Sequence, residues 1–206
     1  MNDYVWLSRI YHDTQLVLFV DIDVVVDNVD DAIYGQKLNN AGQPVPQELC
    51  PKKIWGDKDS KPFKRVPHVL LANGQWVVSG RAASVFEKFD LGAGALYPVS
   101  EGFFQKDKVT PVEGTYFSWI FGNTKDVFLS ESSNKIKEPE VPGLWWDIPW
   151  DVEDGDIAVS SAALDGPDVW MDKMLFRSVF LSASLGDALV AAGLQKAFRL
   201  TRCKVV

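Results

Sequence analysis

A chain of 206 residues, 47% hydrophobic and 24% charged, has the balance of a globular protein with room for one substantial core. Its formal net charge of −7 argues against nucleic acid as a partner, since phosphate contacts need lysine and arginine. Two cysteines offer neither a disulfide framework nor a zinc spacing, no basic-then-apolar leader opens the chain, and no apolar run approaches the ~20 residues of a membrane span, so the expectation is a cytoplasmic protein with no membrane partner.

Residues 4–10 alternate loosely, and residues 15–27 predict one long strand. Leu16, Leu18, Val20, Ile22, Val24 and Val26 would face one way, and Val17, Phe19, Asp21, Asp23, Val25 and Asp27 the other. Residues 27–34 predict a short helical turn. Residues 37–64 read as loop, broken by Asn39-Asn40, Gly42, Pro44, Pro46, Pro51, Gly56 and Pro62. Residues 1–65 are therefore expected as an N-terminal strand-and-loop layer beside a core built from residues 66–206.

Residues 68–78 predict a hairpin turning at Asn73-Gly74. A motif then occurs twice. After Trp76-Val77-Val78 comes Ser79, with apolar residues at +3, +6, +7 and +10 (Ala82, Val85, Phe86, Phe89), a stop at Gly92 and Gly94, and a strand over 95–99. After Val179-Phe180-Leu181 comes Ser182, with Leu185, Ala188, Leu189 and Ala192 at the same offsets, a stop at Gly193, and a strand expected over 196–200. Each serine suits a helix N-cap and each glycine a helix end, although Gly186 interrupts the second helix. Between the copies, 103–108, 115–121, 127–129 and 157–159 predict short strands, 131–143 a loop, Asp165-Gly166-Pro167 a turn, and 169–174 a lead into the second copy. Short strands outnumber helices, which predicts an α+β fold with a mainly antiparallel sheet and a strand–helix–strand repeat.

Val78-Ser79, Val85-Phe86-Glu87-Lys88-Phe89 and Tyr97-Pro98-Val99 resemble the middle block of bacterial immunity-protein family 11. Val179-Phe180-Leu181-Ser182, Ala188-Leu189, Ala191-Ala192-Gly193-Leu194 and Phe198 resemble its C-terminal block, so the likeness covers about residues 66–206. The resemblance implies a protein that protects a bacterium from a toxin encoded beside it, by stoichiometric binding and without catalysis or cofactor. The toxin would be a cognate protein with a basic surface.

Enzyme chemistry has one opening. Asp21-Ile22-Asp23 on an apolar strand resembles the first motif of haloacid-dehalogenase-type phosphatases, with Val127-Phe128-Leu129-Ser130 as a second motif and Asp151 to Asp156 as a metal pair. In that family a sharp turn follows the second aspartate, whereas Val24-Val25-Val26 continues the strand here. The same Asp-x-Asp could hold a metal–nucleotide sugar, but no nucleotide-binding βαβ unit accompanies it. With only His12 and His68, a catalytic triad or a zinc site lacks residues, and Gly92-Ala93-Gly94 is not a phosphate loop. The reading is accordingly of no catalytic and no metal residues.

The surface expected to bind is residues 144–156, where Trp145, Trp146 and Trp150 lie among Asp147, Asp151, Glu153, Asp154 and Asp156. Indoles give rigid contact area and carboxylates a field for a basic partner. Residues 140–172 carry nine acidic and no basic residues, against six basic and two acidic over 52–65 and six basic and one acidic over 173–206. Exchanging Trp146 and Trp150 for alanine is expected to spare the fold and weaken the partner's grip.

Overall fold

The computed structural model describes residues 3–139, 141 and 144–206. In chain order, β1 (Tyr4–Ser8) is followed by β2 (Val17–Leu18), β3 (Val20–Ile22), α1 (Asp23–Asp27), α2 (Val29–Asn40) and β4 (Lys53–Gly56). The hairpin of β5 (Val69–Ala72) and β6 (Gln75–Ser79) leads into α3 (Gly80–Phe86), β7 (Ala95–Pro98), β8 (Gly102–Phe104), β9 (Tyr116–Ile120) and β10 (Thr124–Lys125). A long excursion then reaches β11 (Ala158–Val159), β12 (Val169–Asp172), β13 (Val179–Leu181), α4 (Ala183–Ala191), α5 (Gln195–Phe198) and β14 (Leu200–Val205).

Among the described residues the strands form three sheets, ordered β10-β12-β13-β1-β14-β11, β2-β5-β6-β9-β7 and β3-β4-β8. Seven pairings are antiparallel and four parallel, so the class is α+β with the sheets dominant. No helix among these residues is long and apolar enough to cross a membrane.

Period-two alternation stacks the sheets, because each strand carries apolar side chains on both faces. From the five-stranded sheet, Val69, Trp76, Val78 and Trp119 meet Trp6, Val179 and Leu181 of the six-stranded sheet in one core, which the helices close with Phe86, Leu185, Leu189 and Phe198. Leu70, Ala72 and Val77 point the other way, onto Ile22, Ile54 and Phe103 of the three-stranded sheet. The second face of the six-stranded sheet carries Val5, Leu7, Trp170, Phe180 and Cys203. Residues of the excursion after β10, Ile148, Val152 and Ile157 among them, cover it.

The doubled motif holds in its first part. Ser79 Oγ accepts the Ala82 N–H and Ser182 Oγ the Leu185 N–H, the same three-residue step in each copy. Gly92 and Gly193 take left-handed φ values of 58° and 72° after their helices. The copies then diverge, since the strand expected over 196–200 is replaced by α5, a left-handed Arg199 (φ 52°) and β14.

Five other expectations are corrected. The strand expected over 15–27 is broken into β2 and β3 and turns helical at Asp23, whose carboxylate accepts the Lys52 N–H at 3.1 and 3.2 Å. The expected loop over 37–64 contains the end of α2 and all of β4. Helix α2 starts on Asn28, whose side chain accepts from the N–H groups of Asp30 and Asp31, and runs through Gly35 and Asn39 because both pack inward. The strand expected over 103–108 stops at Phe104, and 127–129 contributes only an isolated bridge from Phe128 to Val159. Residues 1–65 do not form one layer: β1 lies inside the six-stranded sheet, between β13 and β14, while β2, β3 and β4 join the other two.

Candidate partner-binding site

Residues 144–156 run over the outer face of the six-stranded sheet. Ile148 and Val152 sink into the cluster beneath it, and Trp146 packs partly buried against the same cluster, with its ring centroid 6.3 Å from that of Phe128. That inward set turns the remaining indoles outward. Trp145 is 54% exposed and Trp150 83%.

Backbone bonds hold the segment. Lys137 and Asp147 exchange N–H···O bonds of 2.7 and 3.1 Å, Trp146 exchanges with Met174 and Phe176 at 2.8 Å each, and the Arg9 guanidinium donates to the Trp150 carbonyl at 2.7 Å. Two exposed indoles therefore stand on a backbone that is fixed on both sides, which lowers the entropy lost on docking.

The carboxylates are more committed than their spacing implies. Lys135 Nζ lies 3.7, 3.9 and 3.5 Å from Asp151, Glu153 and Asp156, and donates to the Asp151 carbonyl at 3.0 Å. Desolvation pulls the Lys135 ammonium down, but these three carboxylates outweigh it and hold it above its ordinary value. Asp154 accepts the Arg202 N–H at 2.8 Å, and Asp156 the Glu153 N–H at 2.8 Å. Asp147 accepts the N–H of Ile148 at 2.9 Å and lies 3.5 Å from His12 Nε2.

The acids of 140–172 do not make a single field. Asp168 accepts the Asp90 N–H at 2.8 Å. Asp172 is buried and accepts from Val127, Phe128 and Met174; burial raises its pKa against those three bonds. Glu140 lies outside the described residues. At the other end of the segment Trp145 stands 5.5 Å from Phe176 and shares a cavity of about 390 Å³ with Lys37, Lys173 and Arg177. The charge thus changes sign along the site, cationic near Trp145 and acidic near Trp150.

Residue-type spacing pointed to the indoles, but Lys135, Arg9 and Phe176 were not foreseen. Arg9 is 141 residues from Trp150 in sequence, and no local pattern marks such a contact.

The Asp21–Asp23 alternative has a different setting from a phosphatase motif. Asp21 pairs with Trp55 across an antiparallel edge strand, and Asp23 opens α1. Among the described residues no three His, Cys, Asp or Glu side chains converge as metal ligands. Both thiols are buried; burial pushes Cys50 up to about 12 and raises Cys203 as well. A scan against protein-family models finds no match for this chain, and a search of the curated proteins finds no relative.

Proposed function

We propose that this protein is an immunity protein, which neutralises a cognate bacterial toxin by binding it stoichiometrically through the Trp145–Asp156 segment. The observation that carries the reading is the pair of solvent-facing indoles on an immobilised backbone, because rigid aromatic anchors contribute most to protein–protein affinity. The family resemblance over residues 66–206 supplies the toxin as partner. Asp151, Glu153 and Asp154 around Trp150 favour a basic patch on it, with Lys135 reducing that field. The docking centre is therefore Trp150, and charge serves mainly to speed encounter.

The test uses Trp145→Ala with Trp150→Ala, not Trp146, whose ring packs on Phe128 and the covered face. Pull-down by the C-terminal region of the toxin-like product of the adjacent reading frame is expected for the parent chain. In the double variant the thermal midpoint stays near the parent's, while affinity falls by ~30-fold or more, the loss of two aromatic anchors at roughly 1–2 kcal/mol each. Full affinity in the folded double variant rejects this face.

A further inference from the structure

A second region, outside the indole segment, has the form of a small-molecule site. A cavity of about 590 Å³ opens beside the β5–β6 hairpin, with Lys64, Arg65, His68, Ser79, Arg81 and Thr115 on its walls. Phe63, Val66, Val112 and Tyr116 give it apolar lining. Lys64 and Arg65 end the basic stretch 52–65, which the docking reading leaves without a role.

The charge balance is unusual for this chain. Lys64, Arg65 and Arg81 border the cavity with one carboxylate, Glu113, in a molecule of net charge −7. Among the described residues none of Lys64, Arg65 and Arg81 has a carboxylate within ion-pair distance. Arg81 places one N–H on the Ala192 carbonyl at 2.5 Å, and a guanidinium has four more to offer.

The walls are held in place by bonds that have no part in the cavity's chemistry. Gln105 accepts the Phe63 N–H at 2.8 Å and donates to the Phe63 carbonyl at 3.0 Å, which fixes the segment leading to Lys64 and Arg65. Tyr116 OH donates to the Glu113 carbonyl at 2.8 Å, and Gly80 N–H to the Thr115 carbonyl at 2.7 Å. A Cβ on Gly80 would overlap Thr115 Oγ1, so the two walls touch there.

His68 Nδ1 lies 2.9 Å from Ser79 Oγ, and that oxygen accepts the Ala82 N–H at 3.4 Å. When the Ser79 hydroxyl donates its proton to Nδ1, the neutral ring carries its own proton on Nε2, where it can serve a ligand as a donor. Burial, followed by the charges of Arg81 and Arg65, pushes the His68 pKa below its ordinary value, so the ring is neutral at pH 7.

We propose that this cavity binds a small phosphate monoester, its dianionic phosphoryl group among Lys64, Arg65 and Arg81 with the neutral His68 ring as a further donor, and its organic body on the apolar lining. Several convergent cations suit a dianion with three acceptor oxygens better than a single carboxylate. The site is independent of the docking reading, and either can fail without the other.

The experiment follows the His68 ring by NMR in the full chain, with phenyl phosphate, inorganic phosphate and benzoate as probes at matched ionic strength. Phenyl phosphate is expected to shift the ring signals saturably and to raise the His68 pKa, since an added anion offsets Arg65, Arg81 and Lys64 and leaves Glu113 outweighed. Inorganic phosphate binds more weakly, and benzoate at least about tenfold more weakly, one charge-assisted contact fewer. Lys64→Gln with Arg65→Gln changes two exposed positions and leaves the Arg81–Ala192 bond alone; it is expected to weaken phenyl phosphate by ~10-fold or more. A response that never saturates, benzoate binding as tightly as phenyl phosphate, or undiminished affinity in the folded double variant would each overturn the proposal.

Discussion

Asn39 shows how one side chain can join a helix to a sheet. It is 2% exposed near the end of α2, donates Nδ2–H to the Trp119 carbonyl at 2.9 Å, and accepts the Phe121 N–H on Oδ1 at 2.9 Å. Its amide thus acts as a short piece of neighbouring strand for the end of β9. Replacing it by leucine keeps the volume and leaves two buried backbone groups without partners, at roughly 1–3 kcal/mol each. Asn39→Leu is expected to lower the urea midpoint accordingly with an unchanged slope; an unaltered midpoint would show that water takes over both bonds. In the sequence Asn39-Asn40 reads as a loop marker, because asparagine is at home in turns. What decided otherwise is a partner 80 residues further on. Ser79 and Ser182 were legible for the opposite reason, since a cap's partner lies three residues away. The turn at Asn73 and Gly74 was legible too, with φ of 45° and 88°, as a tight hairpin of that twist requires.

At the scale of the element, α4 carries a glycine that helix propensity counts against. A Cβ on Gly186 would fall inside the indole of Trp6. That ring cannot swing aside easily, because Trp6 Nε1 donates to Asp187 Oδ1 at 3.1 Å and Tyr4 OH to Oδ2 at 2.7 Å. Gly186→Ala therefore sets a propensity gain of about 1 kcal/mol against an overpacking cost of typically 1–3 kcal/mol. The clash is with the ring itself, so the variant is expected to melt lower, read by circular dichroism; a higher midpoint would mean that Trp6 moves. Whole elements were lost to sequence reading where tertiary contacts overrode periodicity. Val24-Val25-Val26 favours a strand by β-branching, yet Asp23 bonds back to Lys52 and the chain turns helical there. The indole segment sits between these cases. Its inward Ile148 and Val152 follow from hydrophobicity, whereas the neutralising Lys135 and the cations around Trp145 come from distant parts of the chain.

For the molecule as a whole, the decisive placement is β1. Strand β1 pairs with β13 over Trp6–Ser8 and with β14 over Tyr4–Ser8, and its side chains enter two cores, Trp6 one and Val5 and Leu7 the other. A chain lacking residues 1–8 loses both ladders and is expected to give no cooperative thermal transition; a sharp one would show that β13 and β14 can close on each other. The same placement explains why the boundary expected near residue 65 does not separate an N-terminal layer from a core: β1 lies in one sheet with β13 and β14.

That arrangement has a consequence for how the chain is made. Tyr4 must wait for Lys204 before its ladder can form, which at ordinary ribosomal speeds of 5–20 residues per second is roughly 10–40 s after it leaves the tunnel. Throughout that interval Val5, Trp6 and Leu7 lack at least one of the two strands that flank them. The nascent protein thus depends on whatever in the cell shelters these side chains until β14 has emerged.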